Sequence, residues 1–233
     1  MDVDVKAGME ARDMLFLDPA LYESSRTKTL GFRFVKRTID IAASFMGLVI
    51  LSPVFLVTAA AIKLEDGADV FYVQERIGKW HKPFRIYKFR SMKKDADKIH
   101  EQLRAQYGDT EVSFKPKDDP RVTKTGKIIR KFNIDELPQL LNILKGDMSI
   151  VGPRPLPVYE YEEEKKRYGN RYEERYSVPQ GLTCFWQIAD RSEVDFADRM
   201  QMDVDYARKC TLWTDIGLII KTLLYTITGR AEY

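Results

Sequence analysis

Histidine and cysteine are scarce in this chain, with two of each among 233 residues. His81 and His100 are too few for a His-rich zinc site, and a Ser-His-Asp arrangement is not expected either. Cys184 and Cys210 show neither metal-ligand spacing nor a disulfide framework, so they read as buried free thiols in a reducing compartment. An excess of one charge is also missing: 38 basic and 35 acidic residues leave a net charge of +3. Total charge therefore does not point to a dedicated nucleic-acid binder. There are no internal repeats and no low-complexity tract. The length leaves room for one domain, or one domain with appendages.

What is present is unevenly placed. Residues 1–24 carry six acids and two bases, whereas Arg26 to Arg37 holds five bases and no acid. Such a switch suggests an exposed tail followed by a segment set near anions. Ile41 to Ile62 then runs for 22 residues without a charge, long enough for a membrane helix. Ser52-Pro53 lies at its middle, where proline removes a backbone donor and breaks or kinks a helix. Serine satisfies a freed carbonyl locally. Bases flank both ends, Lys36 and Arg37 before and Lys63 and the Arg76 to Lys94 stretch after. Positive charge prefers the cytoplasmic side, so the expectation is a re-entrant hairpin entering and leaving on one face. A straight span, a buried soluble helix and a signal peptide (Thr58 to Ala61 resembles a cleavage site) remain as alternatives; the long, partly acidic leader argues against the last.

Further along, Val70 to Arg76 and Phe84 to Met92 read as strands joined by a turn at Gly78 to Pro83, hence a hairpin. Lys93 to Gln106 reads as a charged helix and Lys115 to Arg121 as a loop. Asn133 to Pro138 leads into a short apolar helix through Leu144, and Gly146 and Gly152-Pro153-Arg154-Pro155 break the chain. Tyr159 to Tyr176 reads as a charged helix or helix pair with a solvated face. Pro179-Gln180-Gly181 precedes a strand through Ile188. Val194 to Lys209 is helical, and Leu212 to Ile227 carries apolar residues at helical spacing.

Three features could carry chemistry. Asp135-Glu136 stands at a helix start, with Asp135 as the expected N-cap and Pro138 in the first turn. An ionised carboxylate is favoured there and is suited to hold a divalent ion or to attack phosphorus. Ordinary helix capping explains the same residues. Gly152-Pro153-Arg154-Pro155 fixes the backbone around an arginine suited to bidentate phosphate binding; a tight turn with an exposed Arg is the plain alternative. Arg76 to Lys94 holds eight bases and no acid, interleaved with aromatics. Lys88 and Arg90 share one face if this is a strand. Beside an apolar segment, a lipid phosphate or anionic headgroup fits better than nucleic acid, and a solvated basic hairpin fits too. Spacing alone does not link Arg130, Arg191 or Asp203 to the Asp-Glu pair.

Taken together, KRTIDI at 36–41, SP at 52–53, QERIG at 74–78, YKFRSM at 87–92, DDPRVTKTG at 118–126, RKFNIDELPQLLNILKGDMSIVGPRP at 130–155 and GLTCFWQI at 181–188 form a pattern. The chain resembles the bacterial sugar transferase family, the monotopic polyprenyl-phosphate hexose-1-phosphate transferases, and its closing GRAEY resembles the exopolysaccharide-initiating members. The resemblance implies that the apolar helix re-enters at Ser52 and Pro53, and that Asp135 and Glu136 are the catalytic dyad. It implies Mg2+ as cofactor, a UDP-sugar as donor and undecaprenyl phosphate as acceptor. Asp135 would attack the β-phosphate, release UMP and hold the sugar phosphate covalently. Arg154 would grip phosphate, Arg130 would support the charged site, and Arg191 and Asp203 would lie near the nucleotide sugar. Ala189-Asp190 and Pro179-Gln180-Gly181 depart from the family's usual residues.

The expected architecture is α+β: a tail over 1–30, a re-entrant membrane helix over 31–66, and a cytoplasmic catalytic domain over 67–233 with a small β-hairpin, mainly helical and ending in an amphipathic helix. The expected place is the cytoplasmic face of a bacterial inner membrane, with membrane lipids but no nucleic acid as partners. A non-catalytic basic membrane scaffold is the competing reading.

Overall fold

The computed structural model describes residues 29–94, 96, 119–188 and 194–228. The expected tail up to residue 28, most of the charged helix over 93–106, the loop residues 115–118, Arg191 and the closing GRAEY lie outside the described residues. The described part mixes helices with two small sheets.

Helix α1 (Leu30–Ile50) starts at Thr29, whose hydroxyl accepts from the Phe32 N–H at 3.3 Å. Helix α2 (Ser52–Asp66) follows after Leu51 alone, and the two axes differ by 60°. The break lies at the expected Ser52-Pro53 step. Pro53 occupies the first turn of α2, where its missing N–H leaves no intrahelical bond unmade. Ser52 Oγ donates to the Val49 carbonyl at 2.8 Å. Among the described residues no single helix is long and apolar enough to cross a membrane; α1 and α2 meet the length and composition of a span only as a bent pair.

The polarity of this pair is inverted relative to a soluble helix. Asp40, Ser44 and Thr58 are buried against the protein, while Phe34, Phe45, Met46, Val49, Ile50, Leu56 and Val57 face outward. Charged side chains dock α1 onto the rest of the chain. Lys36 donates to the Val151 carbonyl at 3.0 Å and to Asp215 Oδ2 at 2.5 Å. Arg37 donates to the carbonyls of Ile143 and Leu144 at 2.5 and 2.8 Å, and Asp40 accepts from the Ile150 N–H at 2.9 Å.

Strands β1 (Phe71–Ile77) and β2 (Pro83–Phe89) form the expected hairpin, antiparallel from Phe71 opposite Phe89 to Ile77 opposite Pro83. Helix α3 (Lys124–Lys131) is capped by the Thr123 hydroxyl, and the Glu65 carboxylate accepts from the N–H groups of Lys124 and Thr125. That contact ties the end of α2 to the start of α3. Ile62, Phe89 and Ile129 form a buried cluster joined by Phe55, Ala59, Val70 and Ile134. Each such side chain stabilises the fold by about 1.5–3 kcal/mol when fully buried.

Helix α4 (Gln139–Lys145) leads through Gly146, at φ +96, into β3 (Met148–Val151). After helix α5 (Val158–Tyr168) and a 3-10 turn (Glu173–Ser177), β4 (Gln180–Thr183) pairs in parallel with β3, Met148 opposite Gln180 and Val151 opposite Thr183. The expected strand through Ile188 stops at Thr183, and Phe185–Ile188 forms one helical turn, α6. Helices α7 (Phe196–Lys209) and α8 (Leu212–Thr228) complete the chain.

The solvated reading of Tyr159 to Tyr176 needs correction. Glu164, Tyr172, Arg175 and Tyr176 are fully buried. Two contacts join them inside: Tyr176 donates to Glu164 at 2.6 Å, and Arg175 pairs with Asp203 on α7 at 2.7 Å. One face of this charged stretch is thus core.

Candidate active site

The dyad lies where α3 turns into α4. Asn133 takes a left-handed conformation, φ +51, which asparagine tolerates better than most residues. The chain then makes a 3-10 turn over Ile134–Glu136 and passes through Leu137 and Pro138, both helical in backbone angle, into α4. The expectation that Asp135 is the N-cap of this helix is therefore corrected. Pro138 occupies that position and no side chain caps α4. Asp135 lies inside the turn, and the capping explanation for its presence falls away.

Both carboxylates are nearly closed to solvent, Asp135 at 4% exposure and Glu136 at 5%. Their surroundings differ. Glu136 Oε1 accepts from Lys88 Nζ at 2.8 Å and from Arg154 Nη2 at 2.6 Å. Burial pushes its carboxyl group upward, but Arg154 and Lys88 outweigh that and hold it well below the usual range. Asp135 Oδ1 is buried and has no hydrogen-bond partner. Burial, and then the neighbouring Glu136 charge, raise Asp135 to about 6, with Lys88, Arg130 and Arg154 opposing. One carboxylate is locked as an anion between two cations. Its neighbour keeps a free oxygen.

Arg154 belongs to the Gly152-Pro153-Arg154-Pro155 loop that leaves β3. The loop's carbonyls are held one after another. Pro153 accepts from the Gly181 N–H at 2.8 Å, Arg154 from Arg175 Nη2 at 2.7 Å, Pro155 from Arg76 Nη1 at 3.0 Å and Leu156 from the Ile77 N–H at 2.9 Å. The guanidinium also lies over the Trp186 ring, 5.8 Å from its centroid. The loop passes so close to β4 that a Cβ on Gly181 would fall 2.1 Å from the Gly152 nitrogen.

Of the residues singled out in the sequence, the fold brings Asp135, Glu136, Lys88 and Arg154 together directly. Arg130 reaches Asp135 electrostatically, and its Nε donates to Ser91 at 3.1 Å. Lys88 and Arg90 part company: Lys88 turns to Glu136, whereas Arg90 lies beyond the end of β2 and donates to the Asp69 carbonyl at 2.8 Å. Asp203 is fully buried, with its carboxylate on Arg175. Ser52 and Pro53 stand at the helix break, away from the dyad in sequence. Arg76 and Arg175 were not singled out as individual site residues. Each sits inside a charged stretch, and its partners are 79 and 21 residues away, so no local pattern marks it.

The sequence profile described as "Bacterial sugar transferase" matches residues 31–229. The chain belongs to the bacterial sugar transferase family. The chain is 42% identical over 195 residues to the "Galactosyl transferase CpsE" of Streptococcus agalactiae serotype III (strain NEM316), covering 83% of this chain and 42% of that protein. It is 37% identical over 202 residues to the "Exopolysaccharide production protein ExoY" of Sinorhizobium fredii (strain NBRC 101917 / NGR234), covering 85% and 88%. It is 40% identical over 205 residues to the "Undecaprenyl-phosphate galactose phosphotransferase" of Salmonella typhimurium (strain LT2), covering 86% and 42%. The chain thus spans less than half of the streptococcal and Salmonella relatives and most of ExoY.

Proposed function

We propose that this protein transfers a hexose 1-phosphate from a UDP-sugar to undecaprenyl phosphate at a membrane surface, as the first lipid-linked step of an exopolysaccharide or related glycan. Asp135 is the nucleophile in this reading. The observation that carries it is the contrast within the dyad: a buried carboxylate oxygen without a partner beside a carboxylate held by Lys88 and Arg154.

A carboxylate oxygen of Asp135 attacks the β-phosphorus of the donor. The bond from that phosphorus to the bridging oxygen breaks, and UMP leaves with the electron pair. The sugar phosphate stays on Asp135 as an acyl phosphate. An oxygen of undecaprenyl phosphate then attacks the same phosphorus, the aspartyl bond breaks, and the carboxylate is regenerated. Splitting the transfer this way replaces one difficult step with two easier ones. Arg154, steadied on Glu136, and Lys88 supply positive charge where phosphate oxygens gather, which is the main demand of phosphoryl transfer.

Among the described residues no three carboxylate, histidine or cysteine side chains converge as a metal cage. Mg2+ does not require one, since it keeps several waters and binds through one or two carboxylates plus substrate phosphates. The Asp135 carboxylate oxygen not used in attack would be available to hold such an ion, which would neutralise charge on the donor diphosphate.

The inverted polarity of α1 and α2 supports a re-entrant seat in the bilayer on the cytoplasmic side. A contiguous apolar face of this kind is unusual for a surface left in water. Helix α8 adds Trp213, Ile216, Ile220, Leu223 and Leu224, all exposed. Both elements come close to the dyad: Ile134 packs in the cluster under α2, and Asn133 lies 3.4 Å from Thr226 on α8. A nucleophile so placed meets a soluble donor and a lipid-borne acceptor at one level. The scaffold reading draws on the basic Arg76 to Lys94 stretch and the charged Tyr159 to Tyr176 stretch, but Lys88 is engaged with Glu136, Arg76 with Pro155, and Glu164 and Arg175 are buried in the core.

The test is UMP release by the purified full chain in vesicles containing undecaprenyl phosphate, with Mg2+ and a panel of UDP-sugars. Release with at least one donor, dependent on acceptor for turnover, is expected. No release with any donor would remove the reading.

A further inference from the structure

Arg175 and Asp203 are wholly buried charges that lie outside the dyad. Arg175 Nη2 donates to Asp203 Oδ2 at 2.7 Å and to the Arg154 carbonyl at 2.7 Å. Asp203, fully buried beside it, fixes the guanidinium that makes this contact. The pair therefore holds the Arg154 carbonyl from behind. Pro153 and Pro155 flank that residue and restrict its backbone further. Arg175 comes from the 3-10 turn after α5 and Asp203 from the middle of α7, so two separate elements meet behind one residue.

Stability does not account for this arrangement. Taking two charges out of water is expensive, and well-packed apolar residues of similar volume usually serve a fold as well or better. Arg175 also keeps Nε and Nη1 buried without partners, a further cost. The pair gains geometry instead: it fixes the backbone from which the Arg154 side chain reaches Glu136.

We propose that Arg175 and Asp203 are positioning residues that set the Arg154 guanidinium against Glu136 and the transferring phosphate. The inference rests on the proposed transfer reaction for its catalytic consequence, but its structural core is independent of it. Asp203 acts in this account through Arg154 and does not touch the nucleotide sugar.

The test replaces both charges with apolar residues of similar size, Arg175→Met with Asp203→Leu, in the full chain. The carbonyl 13C chemical shift of Arg154, which moves downfield when the oxygen accepts a hydrogen bond, reads the clamp. An upfield move in the variant, as the bond from Arg175 is lost, with the melting temperature held within a few degrees, is expected. An unchanged shift would overturn the proposal whether or not the chain releases UMP. Activity then reads the role in a double-mutant cycle with Arg154→Ala. Misplacing a catalytic group by about 1 Å costs on the order of 100-fold, so the pair variant should lose about that much. Adding Arg154→Ala should cost it almost nothing further, because one pathway has already been removed. Losses that multiply, or a pair variant within about threefold of the parent, would overturn the positioning role. Should the double variant fail to fold, Asp203→Asn carries the same two measurements with the same outcomes. A pair variant that moves the Arg154 carbonyl shift, in a protein whose parent releases no UMP, strikes the transfer reading alone.

Discussion

Arg154 Nη2 meets Glu136 Oε1 at 2.6 Å across 18 residues of sequence, and this contact decides how the two adjacent carboxylates differ. With Lys88 on the same oxygen, Glu136 stays charged and becomes a fixed support. Asp135, without such partners on Oδ1, carries the burden of burial.

Replacing Asp135 by Asn should abolish turnover, with a loss of at least about 1,000-fold, while the fold becomes firmer. The sign follows from the raised carboxyl: at about 6 against an unfolded value near 3.8, the native state binds the proton more tightly than the unfolded chain does. Asp135 therefore costs stability increasingly as pH rises through that interval, and the full cost stands above it. Urea unfolding at pH 8 should show Asp135→Asn more stable by about 1–3 kcal/mol, with the difference shrinking towards pH 4. The same protonation should give the parent an acid limb in kcat/KM near pH 6.

Glu136→Gln removes the buried anion shared by the half-buried Lys88 and Arg154. Removing one partner of a buried ion pair costs about 3–5 kcal/mol, and a melting curve should show a loss of that order. Adding Lys88→Met to Glu136→Gln should recover part of the stability but none of the activity. A Glu136→Gln protein as stable as the parent would mean the contacts with Lys88 and Arg154 carry little energy.

Gly181→Ala would place a methyl group 2.1 Å from the Gly152 nitrogen, where backbone meets backbone. Nothing flexible can give way, so the parallel β3–β4 pair must separate. The expected loss exceeds about 3 kcal/mol, accompanied by loss of activity through the Arg154 loop. Gly217, with nothing within 4 Å of its added Cβ, is the matched control; Gly217→Ala should be stable.

Replacing Ser52 and Pro53 together by Ala and Leu removes the hydroxyl bonded to Val49 and the proline that sets the break. A straighter helix should then span the bilayer. Cysteine labelling from outside the vesicle should report Lys79 and Thr29 on the same side in the parent and on opposite sides in the variant.

Much of the site was legible because its residues are close in sequence or stand in strongly punctuated stretches. Asp135-Glu136 and the proline-flanked Arg154 stand out locally, and the helix break follows from Pro53 alone. The first hairpin followed from two runs of β-formers around a glycine-proline turn. The short parallel strand Met148–Val151 did not, since four residues, three of them buried, carry no alternation. The charged stretch around Arg175 read as surface because its partner, Asp203, lies 28 residues further on, and composition gives no hint that two charges will meet in the core. Lys88 was seen as a base on a hairpin; its turn towards Glu136 depends on how β2 packs on the dyad.

The most direct measurement is a single turnover with radiolabelled UDP-sugar and Mg2+ in vesicles without acceptor lipid, quenched and digested for mass spectrometry. A sugar-phosphate adduct on the peptide containing Asp135, formed with one equivalent of UMP and discharged when undecaprenyl phosphate is added, is the predicted result. UMP formation only when acceptor is present, with Asp135 unmodified at every time point, would contradict it.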